Sequence, residues 1–204
     1  MGENGAGKST LMRLLAGLER PDAGEIHFQG TPVSLRHPHQ AFQLGISMIH
    51  QELMPIPALS VAENIFLGRL PRRGARVDWL ETHRRAAALL AEFGLDVSPE
   101  TEAGTLGVGR KQLVEIIRAL DKHSRVLVLD EPTAALTQRE VEVLLEHLRR
   151  LRAQGTACIY ISHRLDEVFA IADRVTVLRD GTSVATLSRT EATAAEVIRY
   201  MVGR

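Results

Sequence analysis

Aromatic residues make up only 4% of the 204-residue chain, and there is a single cysteine, Cys158. Leu, Val, Ile and Ala must therefore fill the core, and a hydrophobic content of 45% is ample for that. One thiol cannot form an internal disulfide. Cys158 stands in the strand-like run "ACIYIS" and reads as a small buried hydrophobe in a reducing compartment. An excess of either charge is also lacking: Lys+Arg and Asp+Glu number 25 each. That balance excludes a general nucleic-acid binder, which would carry a basic excess or stripe, so no nucleic-acid partner is expected. No apolar run approaches the roughly 18 residues needed to cross a bilayer, and no signal-peptide pattern opens the chain. Repeats and low-complexity tracts are absent. The expectation is one soluble cytoplasmic domain, free to sit on a membrane protein.

What is present begins at the first residues. "MGENGAGKST" contains G-x-x-x-x-G-K-[ST], from Gly2 to Gly7-Lys8-Ser9. Glycines let backbone N–H groups turn inward around phosphate oxygens without β-carbon clashes. Lys8 adds positive charge for the β- and γ-phosphates, and the Ser9 hydroxyl suits Mg²⁺. Leu11, Leu14, Leu15 and Leu18 then recur at helical spacing, which would aim a helix N-terminus at the phosphates.

Further along, "EIHFQGTPVSL" predicts a hairpin about Gln29-Gly30, "PHQAFQLG" a short helix, and "ISMI" a buried strand. Ser60 with Glu63 forms a capping box, predicting a helix towards Gly68. "PRRGARVD" reads as a loop, and Asp78 with Glu81 opens a helix that Gly94 terminates. "KQLVEIIRALDK" is a further helix. "VLVLDEP" has the form of a parallel strand buried on both faces, ending in Asp130 and Glu131. Thr137 with Glu140 caps the next helix, "ACIYIS" is another buried strand, and "RVTVLRDGTSVATL" turns at Asp180-Gly181. Strands and helices alternating, with charges at strand ends, predict an α/β parallel-sheet core with its site at the carboxyl edge. Residues 1–52 and 123–204 would form that core, and 53–122, without convincing strands, an inserted helical subdomain.

A carboxylate directly after such a strand helps hold Mg²⁺ in phosphate-loop enzymes, and a second can polarise the attacking water. Asp130 and Glu131 suit these roles. "GENGAGKST", "IHQEL", "LSVAENIFLGR", "LGVGRKQLVEI", "VLVLDEPTAALT" and "YISHRLDEVFAIADRVTVLRDG" occur in that order. Together they resemble an ATP-binding cassette, in particular the first cassette of tandem ATPase subunits of monosaccharide importers (ribose, xylose, arabinose and galactose type). The resemblance covers essentially the whole chain and implies a phosphate-loop NTPase core with antiparallel β hairpins. It implies ATP and Mg²⁺ as cofactors. Gly2, Asn4, Gly5, Ala6, Gly7, Lys8, Ser9 and Thr10 would line the triphosphate. Ser9, Asp130 and Gln51 would serve the metal, with Gln51 also touching the lytic water. Glu131 would be the catalytic base and His163 the switch histidine on the γ-phosphate. In trans, Gly107, Val108 and Gly109 would cover the γ-phosphate bound by an opposite cassette.

This sequence departs from the family pattern at three points. Thr137 replaces the aspartate usual in the segment Ala134-Ala135-Leu136-Thr137. The signature, close to L-S-[GV]-G-Q in the family, reads Leu106-Gly107-Val108-Gly109-Arg110, so a serine hydroxyl is lost and a charge is added. The strand that precedes the phosphate loop in the family, and the aromatic residue that stacks on adenine, have no counterpart before Gly2. Met1 stands where relatives carry an apolar residue, often valine, which suggests an internal start within a longer cassette. The implied partners are a second cassette, transmembrane permease subunits docking near "LMPIPALS" and, indirectly, a sugar-binding protein. The implied location is the cytoplasmic face of the membrane. Two alternatives stand beside the importer ATPase: a non-functional or partly functional fragment of one, and a soluble non-transport cassette protein.

Overall fold

The computed structural model describes residues 1–49, 55–122 and 124–203. The chain divides into two compact units, Met1–Met48 with Ser124–Glu131 and Leu148–Arg204, and Ile49–His123 with Pro132–His147. In the first unit, β3 (Ile46–Ile49), β6 (Val126–Asp130) and β7 (Ala157–Ile161) form a sheet in the order β3-β6-β7. β6 and β7 are parallel, with Val126 opposite Ala157 and Asp130 opposite Ile161. Leu127, Val128 and Leu129 are buried, as an apolar run covered on both faces requires. Helix α1 (Lys8–Leu15) packs on β6, and Met12 joins Leu35, Ala41, Ile46, Val128 and Ile161 in one core cluster.

The four leucines at helical spacing are not buried alike: Leu15 packs against the core cluster, and Leu18 lies beyond the end of α1. Met12 and Ala16 are buried, whereas Leu11 and Leu18 are 41% and 50% exposed. Leu11 faces a cavity of about 620 Å³ between β7 and β8 (Arg174–Arg179). β7 has β6 on one side and, among the described residues, no strand on the other. Its side chains are accordingly half-buried or exposed up to Ile161, not enclosed as "ACIYIS" suggested. Cys158 is half-buried, enough for burial to push its thiol pKa up. β8 pairs with β9 (Thr182–Ser188) through the turn at Asp180-Gly181, and its outer edge takes Met1. The Met1 amine donates to the Thr176 carbonyl, and the Leu178 amide donates to the Met1 carbonyl, both at 2.8 Å. The hairpin of β1 (Ile26–Phe28) and β2 (Thr31–Val33) turns at Gln29-Gly30 as predicted, and α2 (Pro38–Gln43) precedes β3. Helices α7 (Leu165–Ile171) and α8 (Ala194–Val202) complete the unit, with Val168, Val175, Val177, Ala192 and Val197 as a second cluster.

The second unit is mostly helical. α3 (Val61–Ile65) opens with the Ser60–Glu63 capping box, both bonds being formed at 3.1 and 2.8 Å. α4 (Trp79–Glu92) is capped by Asp78, and α5 (Val108–Leu120) starts at the signature. "PRRGARVD" is not a plain loop. It forms a small hairpin, β4 (Arg72–Arg73) with β5 (Arg76–Val77), around Gly74. Two-residue strands carry no readable alternation, so the pattern was silent there. Arg69 binds the helices together: its guanidinium donates to the carbonyls of Ile65, Arg118 and Asp121 and pairs with the Asp121 carboxylate. Arg69 and Arg85 both lie over the buried Phe66 ring, 5.4 and 5.0 Å from its centroid. Helix α6 (Gln138–Ala153) follows the Thr137–Glu140 cap. No described helix is long and apolar enough to cross a membrane.

Candidate functional site

The phosphate loop runs directly into α1. Gly7, at φ 93°, closes the loop in a left-handed conformation and caps the helix without a side-chain bond. The first N–H groups of α1 are thereby left without partners inside the helix, which suits them to an anion. Lys8 curls back over the loop, its ammonium donating to the carbonyls of Gly2 and Glu3 at 2.8 and 2.9 Å. Ala6 and Gly2 are buried, while Asn4, Gly5, Ser9 and Thr10 are exposed.

The parallel register of β6 and β7 brings the other groups to one sheet edge, because pairing Asp130 with Ile161 sets the residues after each strand side by side. The Glu131 amide donates to the Ile161 carbonyl at 3.0 Å. Asp130 is 8% exposed, and its Oδ2 accepts a hydrogen bond from the Ser9 hydroxyl at 3.5 Å. Glu131 has a φ of 45°, a conformation that costs a residue with a β-carbon about 1–3 kcal/mol. That backbone twist accompanies a carboxylate whose Oε2 is 3.4 Å from Nδ1 of His163. Lys8, Ser9, Asp130, Glu131 and His163 thus all lie in the first unit.

A triphosphate with Mg²⁺ fits these donors. The loop offers N–H groups and an ammonium, and a hydroxyl stands against a buried carboxylate. Mg²⁺ favours one or two such protein oxygens, completed by phosphates and water. Gln51, the third predicted metal-site residue, lies outside the described residues.

Gly107, Val108 and Gly109 belong to the second unit. With Asp96, Thr137 and Glu140 they line a cavity of about 650 Å³. Gly107 is the residue capping α5 and supplies no side-chain bond, so the lost serine is also a lost helix cap. The segment after β6 rests on the start of α5: the Ala135 amide donates to Gln112 Oε1 at 3.2 Å. Sequence reasoning missed Tyr160, Ser162, Arg164 and Glu167, which form a bonded cluster on both sides of His163. The signal was a carboxylate four residues after His163, inside the motif already singled out.

The chain matches the family model described as ABC transporter over residues 1–134. It is 49% identical to a putative ribose/galactose/methyl galactoside import ATP-binding protein of Burkholderia cenocepacia, across 100% of this chain and 40% of that protein. A ribose import ATP-binding protein of Chromobacterium violaceum is 50% identical, and a xylose import ATP-binding protein of Moorella thermoacetica 51%, each with 100% of this chain and 41% of the relative covered. The chain therefore spans about two fifths of the length of these curated relatives. Among solved structures, a nucleotide-free ATP-binding cassette from an ABC transporter is 26% identical with a TM-score of 0.77, over 100% of this chain and 82% of that one. The ADP conformation of the cassette MJ1267 gives the same identity and TM-score, with 86% of its chain covered. By the family model and by identity along its full length, the chain belongs to the ABC transporter family.

Proposed function

We propose that the chain is the ATP-binding and ATP-hydrolysing part of a bacterial importer for a monosaccharide, driving transport by ATP-dependent pairing with a second cassette. The observation that carries this reading is the convergence of Ser9, Asp130, Glu131 and His163 beside the phosphate loop. The names of the relatives support sugar import. Transmembrane permease subunits, a second cassette and, indirectly, a sugar-binding protein are the partners in this reading. The chain then sits on the cytoplasmic face of the membrane.

ATP bound with Mg²⁺ supplies the phosphoanhydride bond and the electrophilic phosphorus. Lys8 and the N–H groups from Gly2 to Thr10 hold the phosphates in place. Ser9 and Asp130 would hold Mg²⁺, with Gln51 the third residue of that site in this reading. Glu131 accepts the proton of the attacking water, and His163 hydrogen-bonds the terminal phosphate. Gly107, Val108 and Gly109 offer backbone donors to nucleotide held by the opposite cassette. A second reading, a partly functional or non-functional piece of such a subunit, is favoured by the open slot beside β7.

Two substitutions test the proposal through ATP affinity and phosphate release. Glu131→Gln is expected to keep ATP binding while hydrolysis falls by about 10²–10⁴-fold, the contribution of a general base. Lys8→Ala is expected to weaken binding itself. Hydrolysis by Glu131→Gln at the parent rate removes Glu131 as the base. A parent chain that binds no ATP favours the second reading.

A further inference from the structure

The loop carrying His163 is anchored on a carboxylate for which the proposed chemistry has no use. Glu167, in α7, is 2% exposed. Its Oε2 accepts hydrogen bonds from the Tyr160 hydroxyl at 2.7 Å and the Ser162 hydroxyl at 3.0 Å. Its Oε1 lies 2.8 Å from Nη1 of Arg164. Ser162 Oγ in turn accepts from the Arg164 amide at 3.0 Å. The residues on both sides of His163, and the end of β7, therefore converge on one buried carboxylate.

His163 itself is two-thirds exposed at its side chain. Little packing holds the ring, so its placement 3.4 Å from Glu131 depends on the backbone to either side. A buried carboxylate is tolerated only when paired and hydrogen-bonded, so Glu167, Tyr160, Ser162 and Arg164 stand or fall as a unit. We propose that Glu167 is the positioning residue for His163, fixing Ser162 and Arg164 so that the imidazole is presented to the phosphate. The proposal rests on the switch role given to His163 above. It adds a residue that acts through His163.

The test follows the His163 ring by proton–carbon NMR in the full chain, assigned by the signal lost in His163→Ala. Glu167→Gln keeps the shape and removes the charge that pairs with Arg164. The His163 signal is expected to shift, while the signals of the other histidines stay. In ATPase assays kcat is expected to fall about tenfold with KM for ATP changing less than about twofold, since the phosphate loop is untouched. In a His163→Ala background Glu167→Gln is expected to add no further loss, because the two act through one group. An unmoved His163 signal, or losses that multiply in the double variant, overturns the proposal. Ser162→Ala covers the case in which Glu167→Gln does not fold: a displaced His163 signal is again expected, and an unmoved one again overturns. If the parent chain hydrolyses no ATP, the proposed function fails, while the NMR comparison still decides the role of Glu167.

Discussion

A β-carbon built on Gly109 would lie 2.6 Å from the carbonyl oxygen of Ala135, whereas one on Gly107 would meet nothing within 4 Å. These neighbours in the signature therefore answer substitution in opposite ways. Gly109→Ala drives a methyl group into a backbone carbonyl that the Ala135–Gln112 hydrogen bond holds in place, and is expected to cost about 1–3 kcal/mol. Thermal unfolding would then begin several degrees lower, at about 2–4 °C per kcal/mol for a chain of this size. An unchanged melting temperature would show that the segment after β6 yields freely. Gly107→Ser meets no obstacle and returns a capping hydroxyl to α5, for a gain of a few tenths of a kcal/mol. In the proposed function it also returns a donor towards nucleotide on the opposite cassette, so ATPase of the assembled importer would rise where that site limits turnover. Should the rate stay level, Arg110→Gln separates the causes: a fall shows that the Arg110 charge already compensates.

The second unit carries an ionisable group that burial opposes. Glu115 of α5 is 8% exposed, and desolvation raises its pKa although Arg118 and Lys122 pull the other way. A carboxyl whose folded pKa lies above its unfolded value stabilises the fold fully below the unfolded pKa. That contribution is lost as pH rises through the folded pKa. Glu115→Gln is therefore expected to raise the melting temperature at neutral pH, with the gap closing below the ordinary carboxylate range. Unfolding curves from acid to neutral pH measure it, and a variant less stable at pH 7 would mean that the Arg118 pair at 3.4 Å outweighs desolvation. What the sequence revealed at this scale was local. The Ser60–Glu63 box and the Asp180-Gly181 turn involve residues three or fewer apart, and both are present. The equally local Thr193–Glu196 box opening α8 was overlooked, although it follows the same rule. In α1 the helical period was right, although the helix stops at Leu15, short of Leu18. Periodicity shows which residues share a face but not whether a neighbour covers it, and Leu11 looks into an open slot. Glu131 and His163 were legible as motif residues. Their 3.4 Å approach follows from the β6–β7 register, which no single segment encodes.

In the first unit, the sheets β3-β6-β7 and β8-β9 are separate, with an open slot between β7 and β8. Thr156, Cys158 and Tyr160 on one side and Thr176 and Leu178 on the other border a slot of about 620 Å³. Met1 has entered it by one residue, bonding to Thr176 and Leu178 as a strand would. A strand edge with no neighbouring strand among the described residues, such as that of β7, invites aggregation. The Met1 amine also fits poorly there, because burial and the charge of Lys8 both lower its pKa. Its folded pKa lies below the unfolded value, so stability increases as pH rises through that range and the amine sheds its charge. A peptide N–H in place of the amine would still donate to Thr176 without bringing a charge beside Lys8. Joining five or six alternating Val and Thr residues ahead of Met1 is therefore expected to place a strand in the slot. Each inward Val fully buried contributes about 1.5–3 kcal/mol, offset by about 1–2 kcal/mol of backbone entropy for each residue ordered. Those two terms roughly cancel, so the ladder hydrogen bonds to the flanking strands, at about 0.5–1.5 kcal/mol each, decide the sign, and a melting temperature higher by a few degrees is expected. A firmer phosphate loop should tighten ATP binding in parallel. The same extension with proline at alternate positions cannot donate to the β7 carbonyls and serves as the control. Equal stabilisation by both extensions, or by neither, would mean that the slot does not accept a strand.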